Sequence, residues 1–191
     1  MSKTLNILHP SSRKDRYELL IKQLEEQNIT DYKLWDNPIG QSMLQRRSLV
    51  CSGHKKIVQY AKDNNLKNVI IAENDITFFD KGAWDYYLEN TPKDYDIYFG
   101  MIYVGEIKDN RVVSESSGFT LYMVNERFYD RFLAAPPDKH IDRTITSMWE
   151  QYKFMVCPKF VCDQNDTQSD NTMGRPDLKK RLEGRVLFGN N

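Results

Sequence analysis

The sequence predicts an α/β protein with a mainly parallel central sheet that is covered by helices. Short apolar runs that suit buried strands alternate with longer segments whose apolar residues recur at helical spacing. In the first half of the chain the order is strand, helix, strand, helix, strand, and this order favours parallel pairing. The 191 residues suit one domain, 1–191, with a polar tail at about 171–191, and they contain no internal repeat or linker.

The first half supplies three predicted strands and two predicted helices. The strands are expected at Leu5–Leu8, Tyr32–Trp35 and 69–72. The first helix should begin near Arg13, with Ser11 or Ser12 as its N-cap, because a serine side chain can accept a hydrogen bond from the first turn. The second helix should span about 42–64, with a break near Gly53 because glycine is a poor helix former.

The second half mixes shorter elements. The predicted elements are, in order, a helical turn at 84–89, a strand at 96–99, a hairpin within 101–113, a strand at 119–124, a helix at 125–133, a helix at 140–152 and a last strand at 154–157. Asn125 is a residue type favoured at helix N-caps, and Pro136 and Pro137 should end the helix that it begins.

Composition places the chain among ordinary globular proteins. Apolar residues make up 40% of the sequence and charged residues 28%. The formal net charge is +0 and the sequence pI is about 6.8, so no global field favours nucleic acid or an anionic membrane. A nucleic-acid partner is therefore not favoured, although Lys179, Lys180 and Arg181 form a small basic patch.

Cysteine usage and hydropathy indicate the compartment. Cys51, Cys157 and Cys162 are odd in number and lack CxxC spacing, which argues against a disulfide scaffold or a structural zinc site. No apolar run approaches the length of a membrane span, and no apolar signal core begins the chain. We therefore expect a cytoplasmic protein with at most peripheral membrane contact.

The most informative segment is the apolar run at 69–72 that ends in Glu73, Asn74 and Asp75. Burying carboxylates costs free energy unless a cation or hydrogen bonds compensate them. Glu73 and Asp75 are two residues apart, so in an extended chain they point to the same side. Two carboxylates at the carboxyl end of a strand can hold a divalent cation, and ligands of α/β sheets collect at this edge. The alternative interpretation is a strand that runs into an Asn-Asp turn.

Several further short motifs follow a fixed order. They are Ser-Leu-Val-Cys-Ser-Gly-His at 48–54, Glu-Asn-Asp at 73–75, Gly-Phe-Thr-Leu-Tyr-Met at 118–123, His-Ile-Asp at 140–142 and Gln-Ser-Asp at 168–170. In order and spacing they resemble glycosyltransferase family 25, the bacterial lipo-oligosaccharide galactosyltransferases and collagen galactosyltransferases. Members show a Gly-Cys-x-x-Ser-His stretch, a strand ending in Leu-Glu-Asp-Asp, a Gly-x-x-x-Tyr strand, a Val-Asp pair and a late Gln with a nearby Ser. The resemblance covers about residues 4–170.

The resemblance implies a GT-A-like, Rossmann-like α/β/α sandwich, a UDP-sugar donor and bound Mn²⁺ or Mg²⁺. A divalent cation would neutralise the charge that builds on the departing diphosphate. The implied metal ligands are Asp75 first, then Glu73, which can instead contact the donor, and Asp170 from the late motif. The chain departs from the family at Asn74, where a middle Asp is usual. Its neutral amide supplies less charge, which implies weaker metal affinity or a weakened activity.

The resemblance also implies inversion at the anomeric carbon, and a single displacement needs a base for the acceptor hydroxyl. Asp142 matches the Asp of the later motif and is the expected catalytic base. Its other interpretation is a carboxylate at a helix N-terminus, where the helix dipole favours negative charge.

Donor contacts are expected from four further side chains: Arg13, Arg16, His54 and Gln168. An Arg after the first strand can pair with a phosphate bidentately, while the simpler interpretation is two surface charges on the first helix. His54 can cap a helix, contact donor phosphate or lie in the core. Gln168 and Asp170 can equally belong to a solvated polar loop. The tyrosines Tyr98, Tyr103 and Tyr122 can stack on base or sugar, or pack in the core.

The leading hypothesis is a metal-dependent glycosyltransferase that moves a hexose, plausibly galactose, from a nucleotide sugar to a glycan or other hydroxyl acceptor. Lipopolysaccharide biosynthesis is the expected process by resemblance. One alternative is a non-catalytic module that binds a sugar nucleotide or glycan, motivated by Asn74. Another is a glycosyltransferase that acts on modified nucleic acid bases.

Overall fold

The computed structural model of the protein describes residues 3–137, 139–165 and 182–189. These residues form ten strands, five α-helices and one short 3-10 helix. The strands are β1 (Leu5–Leu8), β2 (Tyr32–Trp35), β3 (Asn68–Glu73), β4 (Ile76–Phe78), β5 (Ile97–Phe99), β6 (Ile107–Lys108), β7 (Arg111–Val112), β8 (Leu121–Asn125), β9 (Phe154–Val156) and β10 (Cys162–Gln164). The α-helices are α1 (Lys14–Glu26), α2 (Met43–Asp63), α3 (Ala83–Glu89), α4 (Tyr129–Leu133) and α5 (Ile141–Thr146).

Eight of these strands form one sheet in the order β2-β1-β3-β8-β5-β9-β7-β6. Strand β1 pairs in parallel with β2 and β3, and β5 pairs in parallel with β9. Strand β8 lies antiparallel between β3 and β5, in the middle of the sheet. The prediction of a mainly parallel α/β sheet is confirmed, and the central antiparallel strand is the feature that the chain order did not predict.

The parallel strands β1, β2 and β3 end at the same edge of the sheet. The apolar run of β3 is buried on both faces because helices cover the sheet, as expected for a continuous apolar strand. In the register of β1 with its neighbours, Leu8 lies opposite both Trp35 and Glu73. The three strands therefore end side by side at their carboxyl ends, and the acidic motif at 73–75 begins at this edge.

Helix α1 begins without a serine cap. Arg13 occupies the N-cap position and makes no side-chain capping bond, whereas the backbone N–H of Ser11 donates to Asp36 Oδ1. The predicted Ser11 or Ser12 cap is therefore wrong, because the loop between β1 and α1 is bonded to the residue after the end of β2 instead. Arg16 points inwards from the first turn of α1 and is buried.

Helix α2 runs without a break, so the break predicted near Gly53 is wrong. Ser42 and Gln45 form a reciprocal capping box at its start. Gly53 lies inside the helix for a packing reason, since an added Cβ would approach Leu8 Cδ2 to 2.7 Å and Asn37 Oδ1 to 2.8 Å. The glycine thus lets α2 pack closely against the end of β1 and the loop after β2.

The second half is less regular than predicted. The hairpin of 101–113 shrinks to β6 and β7, whose turn residues Asp109 and Asn110 have positive φ. The helix predicted over 140–152 ends at Thr146. Beyond Thr146, several backbone N–H groups donate to the carbonyl oxygen three residues earlier, which gives a tighter turn than an α-helix. Asn125 accepts a hydrogen bond from the Arg127 N–H, so its predicted capping role is confirmed.

Strand β9 is not the last strand, contrary to prediction. Strand β10 follows it and pairs antiparallel with β4 in a separate two-stranded sheet, with Gln164 opposite Ile76. This small sheet matters for the site, because it places Gln164 beside the acidic motif from the far end of the chain.

The cysteines and tyrosines behave as core residues. All three cysteines are buried, and none of them is part of a disulfide in the described residues. Tyr98, Tyr103 and Tyr122 are buried in the core, so the packing interpretation of these side chains is confirmed. Across the described ranges, we find no helix with the length and apolar character needed to cross a membrane.

Candidate functional site

An open pocket lies where the carboxyl ends of β1, β2 and β3 meet. It encloses about 590 Å³ including its mouth. Its lining residues are Leu8, Pro10, Arg16, Asn37, Pro38, Ile39, Gly40, Arg46, Val50, Glu73, Asn74, Asp75 and Gln164. The side formed by 38–40 and α2 is mostly apolar apart from Arg46, and the side formed by Arg16, 73–75 and Gln164 is polar and charged. This edge is where α/β sheets bind ligands.

Asp75 is held by a buried arginine on the polar wall. Arg16 Nη1 donates to Asp75 Oδ2 at 3.1 Å and to Asn74 Oδ1 at 3.0 Å. The Arg16 residue is only 3% exposed. A charge buried this deeply needs a partner, and Asp75 provides it. Of the two predicted arginines, the structure therefore brings Arg16 to the acidic motif.

Asn74 is clamped between two side chains. Its Oδ1 accepts from Arg16, and its Nδ2 lies 3.2 Å from His9 Nδ1. Burial lowers the pKa of His9 most, and the charges of Arg13 and Arg16 lower it further, against the opposing charge of Asp36. A neutral His9 can accept a hydrogen bond at Nδ1, so the amide of Asn74 satisfies a donor and an acceptor at once.

Glu73 is held by different partners. Gln164 Nε2 donates to Glu73 Oε2 at 3.1 Å, and His54 Nε2 lies 3.4 Å from Glu73 Oε1. The other ring nitrogen of His54 lies 2.6 Å from the Tyr122 hydroxyl. Burial raises the pKa of Tyr122 well above its usual range, with Glu73 adding to the effect, so the hydroxyl keeps its proton and can donate it to His54 Nδ1.

The acidic motif is not extended. The chain turns at Asn74 and Asp75 between β3 and β4. The expectation that Glu73 and Asp75 point to one side of an extended strand is therefore wrong in its geometry, and the alternative of a strand running into an Asn-Asp turn describes the backbone. Both carboxylates nevertheless line the same pocket.

The donor set suits a divalent cation only in part. Among the described residues, no group of three or more His, Cys, Asp or Glu side chains could hold a metal ion. Mg²⁺ and similar hard cations are commonly held by one or two carboxylates together with substrate phosphates. Asp75 and Glu73 both line the pocket and provide two such carboxylates. The predicted third ligand, Asp170, lies outside the described residues.

Asp142 lies at the same sheet edge but does not line the pocket. Its Oδ2 accepts from the Gly118 N–H at 3.2 Å and its Oδ1 accepts from the Arg143 N–H at 2.8 Å. Burial raises the pKa of Asp142, with the charge of Glu73 adding a smaller increase. A carboxyl group with a raised pKa is a better proton acceptor near neutral pH than an ordinary aspartate.

The remaining predicted residues are distributed unevenly. His54 lies inside α2 with 0% exposure, so the helix-cap interpretation is wrong and its contact with the site runs through Glu73. Arg13 donates to both carboxylate oxygens of Asp15 and is absent from the pocket lining. Gln168, like the basic patch at 179–181, lies outside the described residues.

Three polar pocket residues escaped the sequence prediction, Asn37, Arg46 and Gln164, and so did His9, which contacts Asn74 beside the pocket. Asn37 follows the end of β2 and Arg46 lies in the first turn of α2, where its Nε donates to Gly40 O. A polar residue within two positions of the end of a predicted strand was the available signal for His9 and Asn37. Gln164 carried no such signal, because its strand was not predicted.

The fold is that of GT-A-type glycosyltransferases. No protein-family model matches the sequence, and no curated protein matches it significantly. Among solved structures, a mutant of Drosophila β1,4-galactosyltransferase 7 in complex with manganese, UDP-Gal and xylobiose is similar with TM-score 0.52 and 10% identity, covering 95% of this chain and 80% of that chain. A glycosyltransferase involved in the glycosylation of the major capsid of PBCV-1 is similar with TM-score 0.51 and 11% identity, covering 80% and 79%.

A third solved structure, A197 from STIV, is similar with TM-score 0.50 and 15% identity, covering 81% of each chain. At these identities the likeness establishes the fold alone. The chain therefore has a GT-A-like fold with an open, partly charged pocket at the carboxyl ends of β1, β2 and β3, and the resemblance to family 25 in particular remains a prediction from the motifs.

Proposed function

We propose that the protein is a metal-dependent glycosyltransferase that moves a hexose from a nucleotide-sugar donor to a hydroxyl acceptor, with inversion. The observation that carries this proposal is the pocket at the ends of β1, β2 and β3, whose polar wall joins Arg16, Glu73 and Asp75 within a GT-A-like fold. The complex of the Drosophila galactosyltransferase with manganese, UDP-Gal and xylobiose supports this class of donor and acceptor.

The two walls of the pocket suit the two ends of a nucleotide diphosphate. Pro38, Ile39 and Val50 offer an apolar surface for a base and ribose. Arg16 supplies positive charge for the diphosphate on the opposite side, and Arg46, which bonds Gly40 O, supplies it from the apolar side. Since both arginines are anchored by α-helices, the phosphates would be positioned by rigid elements.

Asp75, with Glu73 beside it, would hold the cation, which supplies charge neutralisation for the leaving diphosphate. Gln164 and His54 fix the orientation of Glu73, and Arg16 fixes Asp75. Asp142 would take the proton from the acceptor hydroxyl at its carboxylate, a role favoured by its raised pKa. We place the acceptor between the pocket and the loop at Gly118, because Asp142 lies there.

A second candidate function is a non-catalytic module that binds a sugar nucleotide. The observation that favours it is the engagement of Asp75 by Arg16, together with a neutral Asn74. A site whose negative charge is already compensated by an arginine can bind a diphosphate without turning it over.

The deciding experiment measures hydrolysis of a UDP-hexose panel with and without Mn²⁺, in the wild type and in Asp75→Ala. Metal-stimulated hydrolysis that falls by about 100-fold in the variant is the expected result. Equal hydrolysis in both proteins would remove the metal assignment. Thermal stabilisation by UDP without any turnover in the wild type would select the binding module instead.

A further inference from the structure

The position of Arg16 suggests a role that its sequence context alone does not. Its guanidinium is buried in the pocket wall, and one nitrogen, Nη1, bonds both Asn74 and Asp75. Asp75 is the carboxylate proposed above as the main ligand of the cation. Arg16 therefore competes with any divalent cation for the same carboxylate, because two cations cannot both share Asp75 Oδ2 closely without repulsion.

Arg16 is also one of the two cations that line the pocket among the described residues. A guanidinium binds a carboxylate or a phosphate with the same planar fork, so exchange between these partners needs little reorganisation. The diphosphate of a nucleotide sugar would enter the pocket beside this fork. The ligand would thus bring a new anionic partner for Arg16 at the moment when Asp75 is needed for a cation.

We propose, on the basis of the function proposed above, that Arg16 is the resting counter-charge of Asp75 and transfers to the donor diphosphate when a divalent cation takes Asp75. In the empty site Arg16 keeps the carboxylate compensated and the pocket ordered. Cation binding and diphosphate binding are then coupled through this chain's own arginine, in addition to any direct contact between the two ligands.

Asn74 fits this role. Its amide accepts from Arg16 through Oδ1 while Nδ2 faces His9. A carboxylate at this position would add a second negative charge beside Arg16 and would bind the guanidinium more tightly. The neutral amide orients Arg16 without that extra attraction, so the departure from an acidic middle residue is consistent with an arginine that exchanges partners.

The test separates the two ligands by titration calorimetry. Mn²⁺ is titrated alone, and inorganic pyrophosphate and UDP are titrated in EDTA, into the wild type, Arg16→Gln and Arg16→Lys. We expect the affinity for Mn²⁺ alone to rise about tenfold in Arg16→Gln, while the affinities for pyrophosphate and UDP in EDTA fall about tenfold. Arg16→Lys, which keeps the charge but loses the fork, should lie between these values.

Arg127→Gln is the matched control, because Arg127 also bonds a mostly buried aspartate, Asp96, outside the pocket. It should change neither titration. Circular dichroism melts identify any variant that fails to fold, and Arg16→Lys then carries the comparison, since it retains the ion pair.

Two outcomes overturn the inference. A folded Arg16→Gln or Arg16→Lys whose affinities for Mn²⁺ and pyrophosphate both match the wild type shows that Arg16 is only structural, and the proposed glycosyltransferase function survives. A wild type that binds neither Mn²⁺ nor UDP overturns the inference and the proposed function together.

Discussion

Among the described residues, the two edges of the central sheet each contain an arginine–aspartate ion pair, and of these two pairs only the first lines the pocket at the ends of β1, β2 and β3. At the carboxyl edge of β3, Arg16 bonds Asp75; at the opposite edge, Arg127 Nε bonds Asp96 Oδ1 at 2.7 Å. The side chains of Asp75 and Asp96 are equally exposed, at 11%. The aspartates thus share residue type, burial and the kind of partner, and they differ in what surrounds them.

Their surroundings indicate different purposes. The second oxygen of Asp96 accepts from the Lys153 N–H at 2.6 Å, so this carboxylate ties the start of β9 to the end of β8. Asp75 instead lies beside Glu73, Asn74 and Gln164 on a pocket wall. A buried aspartate bonded by an arginine is therefore weak evidence of function by itself; the pocket and the neighbouring polar groups distinguish the candidate site from a structural clamp.

The largest expected effect tests whether the two ion pairs differ in function. Asp75→Asn should lower kcat/KM for a UDP-sugar by about 100-fold or more, because the carboxylate that holds the cation is lost. Asp96→Asn should leave kcat/KM within about threefold and lower the free energy of unfolding by about 1–3 kcal/mol, since it weakens buried charge-assisted bonds. Steady-state kinetics and urea denaturation on both variants measure the contrast.

The double variant Asp75→Asn with Arg16→Gln controls for folding, because it removes both charges of the buried pair. If it folds and remains inactive, the loss belongs to the site. Comparable losses of kcat/KM in Asp75→Asn and Asp96→Asn would show that the ion pair in the pocket has no special role in activity.

Asp142 provides the next largest effect and a pH signature. Asp142→Asn should lower kcat by about 100-fold while leaving Mn²⁺ affinity unchanged, because the base acts on the acceptor and not on the cation. Burial raises the pKa of Asp142 above its ordinary 3.8, and a base must be ionised to work. The acid limb of the kcat/KM profile should therefore lie above pH 3.8 and vanish in the variant. An unchanged profile would leave Asp142 as a structural N-terminal carboxylate.

A third prediction concerns Gln164, which lies at the carboxyl edge and bonds Glu73. Gln164→Ala removes the hydrogen bond to Glu73 Oε2 and should lower kcat/KM by about three- to tenfold, as expected for one bond to a charged group. Gln23→Ala is a control, because the Gln23 side chain accepts from the Phe78 N–H on the same small sheet without lining the pocket. Equal kinetic losses in the two variants would indicate a general loosening of the small sheet.

The case of Gln164 also shows why part of the site could not be predicted. The three parallel strands of the first half were predictable, since each is a short, mainly apolar run and a helix separates each from the next, and Glu73 and Asp75 follow directly from the end of the third run. The bond between Gln164 and Glu73 spans 91 residues, and it depends on a three-residue strand without a marked apolar pattern.

Long-range charge pairing is equally hidden in a single sequence. Arg16 and Asp75 are 59 residues apart, and residue type does not distinguish Arg16 from Arg13, which the structure pairs with Asp15 instead. Helical phase is the one available signal, because Arg16 shares a face of α1 with the buried Leu20 and Leu24. The sequence left a turn at Asn74 open as an alternative to an extended strand. The contacts of Asn74 with Arg16 and His9 accompany this turn.

The smallest expected effect concerns His9 and the pH dependence of stability at the carboxyl edge. Burial, followed by nearby arginine charge, lowers the pKa of His9 below its ordinary 6.5 in the folded protein. As pH falls below 6.5, the unfolded chain takes up this proton first, so folding loses stability until the pH passes below the folded-state pKa. The wild type should therefore lose on the order of a few degrees of Tm to this group between pH 7 and pH 5.

His9→Gln should lose less stability over the same interval, although it starts lower because the contact with Asn74 is altered. His140→Gln is the control, since His140 is exposed and lies outside the pocket. Scanning calorimetry at both pH values gives the difference directly. A His9→Gln protein with the full acid-induced fall in Tm would show that the neutral imidazole beside Asn74 does not couple the carboxyl edge to pH.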